Sequence, residues 1–250
     1  MKKLAILTAV LAILLIGGLQ VAMATSLLDG TIDTSSSTYH GPWNPATYDY
    51  AYLISTATLT PVAGSGAVTL SGHVSSLAFT NYNNWLEIGL VDKNLADAAI
   101  ASGDPSSMMN NHSAYFLVGT LGNNIYFEAG DYANCPQTVQ TLGNITAFDF
   151  IFTVEPNSSG LGGTFTVTID GKTSFITYGA DAAEFSGDAY IVAHAFAQFS
   201  DDASGTPRSS VYAVVTDVRV VPLPGTMVLL GSGLAGLAFY RQRRASGRQN

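Results

Sequence analysis

Two stretches decide the fold: Phe148-Asp149-Phe150-Ile151-Phe152-Thr153-Val154, and after a loop Thr164-Phe165-Thr166-Val167-Thr168-Ile169-Asp170-Gly171-Lys172. In the first, Phe148, Phe150, Phe152 and Val154 alternate with Asp149, Ile151 and Thr153; in the second, Phe165, Val167 and Ile169 alternate with threonines. Period two is the mark of a strand with one buried face. Asp170-Gly171 tolerates the positive φ of a type I′ turn and leads into a further strand over 172–178. Working outward, the same rhythm predicts strands over 68–74, 85–91, 114–121, 124–129, 190–199 and 211–221. Loops at 155–163 and 200–209 are rich in Gly, Ser, Pro and Asp, as turns require. Residues 95–101 are short and Ala-rich and are not read as a helix. No internal repeat and no boundary interrupts residues 25–221. The expectation is an all-β chain with a single antiparallel β-sandwich of the jelly-roll type.

The chain has 250 residues, of which 11% are charged and 47% hydrophobic. All 18 Asp and Glu lie between Asp29 and Asp217, whereas Lys2, Lys3, Arg241, Arg243, Arg244 and Arg248 lie in the ends. The middle thus holds four basic residues against 18 acidic ones, a net charge of −14 with His neutral. Such a surface repels phosphate backbones and anionic lipid, which excludes nucleic acid as a partner. The lone Cys135 excludes an internal disulfide framework and a multi-Cys zinc site.

Residues 1–24 read as a secretory signal peptide: Lys2 and Lys3, an apolar stretch over 4–16, and Ala22-Met23-Ala24 as an A-x-A cleavage site. An uncleaved anchor is the alternative, and polar Thr25 and Ser26 after the small residues favour cleavage. The other end, residues 222–250, runs Pro222-Leu223-Pro224-Gly225-Thr226, an apolar run over 227–240, then Arg241-Gln242-Arg243-Arg244. The run of 14 residues spans about 21 Å as a helix, short of a hydrocarbon core of about 30 Å. Its small residues (Gly231, Ser232, Gly233, Ala235, Gly236, Ala238) suit close helix contact. Basic residues at both ends stay on the cytoplasmic side, which places everything between them outside.

These last residues resemble the bacterial PEP-CTERM sorting signal, in a Val-Pro-Leu-Pro variant with Leu223 where the commonest form has Glu. The resemblance implies a membrane cysteine protease, an exosortase, that recognises the Pro-x-Pro region, with Pro222, Leu223, Pro224 and Gly225 as the processing residues. It further implies export through the secretory translocon and transient membrane insertion through residues 227–240. The family belongs to Gram-negative bacteria that make exopolysaccharide and biofilm matrix, so the expected destination is the cell surface or the medium. An ordinary membrane anchor is the alternative reading of this end.

Within the middle, Trp85-Leu86-Glu87-Ile88-Gly89-Leu90-Val91-Asp92, then residues 164–172, 190–199 and 212–220, follow one another as in concanavalin A-like lectin/glucanase (laminin-G-like) sandwiches, to which the segment order is similar. That resemblance implies glycan binding on a concave sheet face, often near a structural calcium ion. No motif supports calcium: Asp201-Asp202 offers two hard oxygen donors where calcium takes six to eight. No other cofactor is expected.

Catalytic patterns are sought without success. The glucanase run E-x-D-x-x-E, which lines carboxylates along one strand face, is absent. Glu87 has Asp92 as its nearest strand carboxylate, an odd number of residues away and so on the opposite face, and Asp181 and Glu184 sit in a Gly/Ala-rich loop. His40, His73, His112 and His194 are scattered, and His194 among Tyr190, Val192 and Phe196 reads as a sheet residue. There is no G-x-S-x-G, and Cys135 has no neighbouring base. The expectation is a non-catalytic protein. For binding, Asn81-Tyr82-Asn83-Asn84-Trp85 sets amides beside aromatics, the pairing that stacks on sugar rings and bonds their hydroxyls. The candidates are Trp43, Tyr82, Asn83, Asn84 and Trp85, with Glu87 on the strand face of Trp85 and Tyr48, Tyr50 and Tyr52 downstream of Trp43. The alternative is that both tryptophans fill the sandwich. Three outcomes stay open: a matrix protein that binds extracellular polysaccharide, a secreted glycan hydrolase, and a purely structural surface protein.

The tails generate a test. In a host with an active exosortase, the mature chain starts near Thr25 and ends between residues 221 and 225, because prolines keep that segment extended and accessible. Intact-mass spectrometry of the surface and extracellular fractions reads both ends, and a product retaining residues 241–250 marks a plain anchor.

Overall fold

The computed structural model describes residues 26–37, 40–43, 46–59, 67–80, 84–104, 113–121, 124–130, 139–156, 163–178, 188–200 and 209–221. The chain divides into two units, Ser26–Arg219 and a second of Met1–Thr25 and Val220–Asn250. In chain order its strands are β1 (Leu28–Asp33), β2 (His40–Trp43), β3 (Ala46–Leu59), β4 (Val68–Thr80) and β5 (Asn84–Asp92). A helix, α1 (Lys93–Ser102), precedes β6 (Ser113–Leu121), β7 (Asn124–Gly130), β8 (Gln140–Gly143) and β9 (Phe148–Pro156). The chain continues through β10 (Gly163–Ile169), β11 (Lys172–Tyr178), β12 (Ala189–Ser200) and β13 (Ser210–Val220).

These strands make two sheets, one of six in the order β1-β13-β4-β9-β10-β11 and one of seven in the order β2-β3-β12-β5-β6-β7-β8. Pairing is antiparallel throughout the registers that define them. The expected antiparallel sandwich is therefore the fold. The Phe-rich alternation works as read: Phe148, Phe150, Phe152 and Val154 are buried, while Ile151 faces out at 52% exposure. Asp170 and Gly171 take φ of 49° and 75°, the left-handed conformation that a type I′ turn demands. From the opposite sheet, Phe116 reaches Phe150 and Phe152 with ring centroids 4.9 and 5.6 Å apart. Leu86, Ile88, Leu90, Val118 and Phe127 complete that inner layer.

The structure corrects the sequence reading in two respects. The Ala-rich stretch set aside as non-helical is α1, running two residues earlier and one later than 95–101. Asp92 caps it, its Oδ1 accepting from the backbone N–H of Asn94 at 2.9 Å and Leu95 at 3.4 Å, and Gly103 closes it at φ 68°. Strands β1, β2, β3 and β8 were not expected. β3 is long and irregular in register against β12, with a shift between Tyr190 and Val192. There the backbone N–H of Ile191 donates to the Ser55 hydroxyl at 3.0 Å, and that hydroxyl donates to the Ala57 carbonyl at 2.6 Å.

If the alternation carries the core, adjacent residues of β9 must differ sharply. Phe152→Ala should lower stability by about 3–5 kcal/mol, and Ile151→Ala by less than about 0.5 kcal/mol. Urea unfolding of both variants measures the contrast.

Candidate functional site

Because β5 and β12 are central strands, the side chains that do not enter the sandwich core meet on the outer face of the seven-stranded sheet. The registers sort them into rows running across the strands. One row is Tyr50, Phe196, Trp85, Gly119 and Tyr126, from β3, β12, β5, β6 and β7. The next is Tyr52, His194, Glu87, Leu117 and Glu128, and the third Ile54, Val192, Gly89, Tyr115 and Gly130. A polar row thus lies between an aromatic row and a largely apolar one.

The aromatic row is closely packed. Trp85 stacks on Phe196 with centroids 4.8 Å apart and 28° between planes, and Tyr48 lies 6.1 Å from Trp85. The indole N–H of Trp85 donates to the Tyr126 hydroxyl at 2.9 Å. Gly119 makes this possible: a Cβ there would fall 2.6 Å from Trp85 Cδ1, so only glycine lets the indole lie flat across β6. Gly130 does the same for Tyr115, whose Cε2 would stand 3.1 Å from an added Cβ. At the other end of the face, Ala96 and Ala99 of α1 pack with Val91, Val192, Tyr115 and Leu117. The helix therefore packs at one side of the polar row and the Tyr48–Tyr50–Phe196 cluster at the other.

Within the polar row, His194 Nδ1 lies 3.2 Å from Glu87 Oε2, and both side chains are buried. The imidazole stacks on Tyr50 with centroids 5.6 Å apart. Among the described residues, His194 Nε2 is buried without a hydrogen-bond partner. A carboxylate facing Nδ1 holds the proton on that nitrogen, so in the neutral ring Nε2 is a bare acceptor. Burial, and secondarily the charge of Glu87, push the Glu128 carboxyl from 4.5 up to about 7. Burial also raises the Tyr126 hydroxyl, against the opposing effect of its hydrogen bond from Trp85.

Of the residues singled out by sequence, Trp85 and Glu87 lie on this face, and so does Tyr52, which is 37% exposed. Trp85 belongs to the outer face, not to the sandwich interior. Asn84 is fully buried, and its side-chain amide donates to the Thr80 carbonyl at 3.0 Å, tying the end of β4 to the start of β5. Trp43 ends β2, beside Ala46 of β3. Tyr82, Asn83, Asp201, Asp202, Asp181, Glu184, Cys135 and the processing residues Ala22, Ala24, Pro222, Leu223, Pro224 and Gly225 lie outside the described residues. Among the described residues no group of three or more His, Cys, Asp and Glu is placed to hold a metal ion, and no helix is long and apolar enough to cross a membrane. The members missed by sequence are His194, Glu128, Tyr126 and the two glycines. Alternation over 124–130 could have paired Tyr126 with Glu128, but no local signal joins β7 to β5.

Residues 220–244 match the PEP-CTERM protein-sorting motif, so the chain carries a sorting signal of exported proteins. No curated protein matches the sequence. Among solved structures, an endo-1,3-β-glucanase from Streptomyces sioyaensis is similar at 11% identity over 68% of this chain and 69% of that one, with a TM-score of 0.43. Peanut lectin is similar at 10% identity over 73% and 85%, with a TM-score of 0.40. An alginate lyase in complex with alginate trisaccharide is similar at 14% identity over 80% and 100%, with a TM-score of 0.41. These are likenesses of sandwich outline.

The raised Glu128 carboxyl has a consequence for stability. Its folded value lies above its unfolded one, so the neutral form stabilises the fold fully below pH 4.5, and that contribution is lost as pH rises to about 7. Glu128→Gln should flatten this fall and gain about 1–2 kcal/mol over the wild type at pH 8, after discounting for partial exposure. Urea melts at pH 5 and pH 8 check it: an equal difference at both values contradicts the assignment.

Proposed function

We propose that this chain is an exported, exosortase-processed protein that works outside the cell as a non-catalytic binder of carbohydrate, in an exopolysaccharide or biofilm matrix. The observation that carries the reading is the aromatic row Tyr50–Phe196–Trp85–Tyr126 beside the acceptor row His194–Glu87–Glu128 on one sheet face. Sugar rings present apolar faces that stack on aromatic rings, and hydroxyl edges that donate to carboxylates and imidazole nitrogens. The sorting motif supports export, and the acidic middle of the chain supports solubility once both basic ends are removed.

A hydrolase is the second reading, favoured by Glu128 and Glu87 on one row of the sheet. Two strand spacings set their backbones roughly 9.5 Å apart, at the wide end of the separation that an inverting glycosidase uses. Binding and turnover are separable. Isothermal titration of the exported protein against neutral and charged oligosaccharides should give at least one ligand in the micromolar-to-millimolar range, weakened about tenfold or more by Trp85→Ala. New reducing ends that disappear in Glu87→Gln and Glu128→Gln would establish the hydrolase instead. Absence of binding across the panel would leave a structural surface protein.

A further inference from the structure

We infer that the fold times the sorting cut: the bond is open to the enzyme until β13 docks between β1 and β4, and after docking it is cut slowly, through local opening. This rests on the reading of the chain as an exosortase-processed export and names how that processing is controlled. The first argument is the missing linker. The sorting motif matches from residue 220, and β13 runs to Val220, so the motif begins on the last residue of a strand. The expected cuts, between residues 221 and 225, lie at most five residues beyond it (220 to 225). Five fully extended residues reach about 18 Å, less than twice the spacing of packed sheets. An enzyme that cuts a docked chain therefore works against the end of the sandwich.

The second argument is how firmly that end is held. β13 is an inner strand, with β1 on one side and β4 on the other, and its Val211, Ala213, Val215 and Val218 are fully buried. Near its end the Val218 carbonyl accepts from the backbone N–H of Leu27 at 2.7 Å, and the Asp217 N–H donates to Asp29 Oδ1 at 2.7 Å. Leu27 is itself tied to the other sheet, its carbonyl accepting from the Thr56 N–H of β3 at 3.3 Å. Proteolysis needs a segment whose backbone is free to enter a cleft, so a bond beside a fully paired inner strand is reached when that strand opens. The third argument is order. β13 is the last strand in the chain, and Asp217 meets Asp29 across 188 residues. β1, at the edge of the sheet, waits for β13 until the end of the chain has been exported, and pairings so distant in sequence form slowly. During that interval the segment beyond Val220 continues a free chain and meets no folded neighbour.

The test follows the full chain by pulse-chase in a host with an active exosortase, with intact mass reading each C-terminus. The wild type should be cut in two phases, a fast one before docking and a slow one after it. A Gly/Ser insertion of about six residues between Val221 and Pro222, which leaves the sheet as it is, should speed the slow phase about fivefold or more. Leu28→Ala, which removes a buried side chain paired with Val218, should speed it comparably, and the insertion should add less than about twofold on top of that. Phe175→Ala, exposed on β11 at the far edge of the sheet, should leave both phases within about twofold of the wild type. A single phase that neither the insertion nor Leu28→Ala alters overturns this inference and leaves exosortase processing standing. Full additivity of the two changes also overturns it, because they then act by separate routes. Where Leu28→Ala yields products ending outside residues 221–225, the insertion, which keeps the fold, decides by itself. Absence of a C-terminal cut in every variant overturns both readings.

Discussion

Phe116, set against Phe150 and Phe152 across the sandwich, fixes the address of the side chains around it on both sheets. Once Phe116 points inward, alternation sends Tyr115 and Leu117 outward. The pairings of β6 then dictate which residues of β5 and β7 join them. A slip of one residue would turn the indole of Trp85 into the core and expose Leu86 and Ile88. The cost of burying polar groups while exposing that apolar layer makes the register unambiguous. The rows of the outer face are thus a by-product of core packing, which is why they are regular.

The outer face is not an ordinary solvated surface. Strand β5 is buried along most of its length on both sides, and His194 and Glu87 are nearly as enclosed as the core phenylalanines. Two features achieve this without a third sheet. Helix α1 lays Ala96 and Ala99, the smallest apolar side chains available, against Val91 and Val192. Gly119 and Gly130 let Trp85 and Tyr115 fold down across neighbouring strands instead of standing upright. The result is a low-dielectric setting for an imidazole and two carboxylates, and burial duly dominates the displacement of Glu128.

Legibility followed the same physics. Strands with one wet face were readable: β9, β10 and β11 carry Asp and Thr outward, and the Asp170-Gly171 turn joins two of them. β3 was not, because Tyr48, Tyr50 and Tyr52 alternate with Asp49, Ala51 and Leu53, so the polar member of the pattern falls on the inner face and the aromatic one on the outer. α1 was passed over on its composition, although Asp92 and Gly103 bracket it as capping residues should. The site was least legible of all. Glu87 and His194 are 107 residues apart in sequence, and their contact depends on β12 lying beside β5, a fact of strand order that alternation does not encode. Alternation could place Trp85 with Glu87 and Tyr126 with Glu128. It could not place the two pairs side by side on one sheet face.

Net charge and local charge act at different ranges. The acidic excess of the middle of the chain extends into solvent only about 8–10 Å at the ionic strengths of most media, so it governs solubility and encounter more than recognition. Glu87 is buried and escapes most of that screening, and half-buried Glu128 escapes part of it. An unpaired buried acceptor such as His194 Nε2 costs about 1–3 kcal/mol, and a carboxyl held near pH 7 adds to the cost. Apolar residues in the same row would make a more stable sheet. A fold with a Phe-rich core of this size tolerates the loss. What the loss leaves is a buried polar row in which the pair Glu87–His194 keeps one nitrogen without a partner among the described residues, and that is the physical content of calling this face a candidate site.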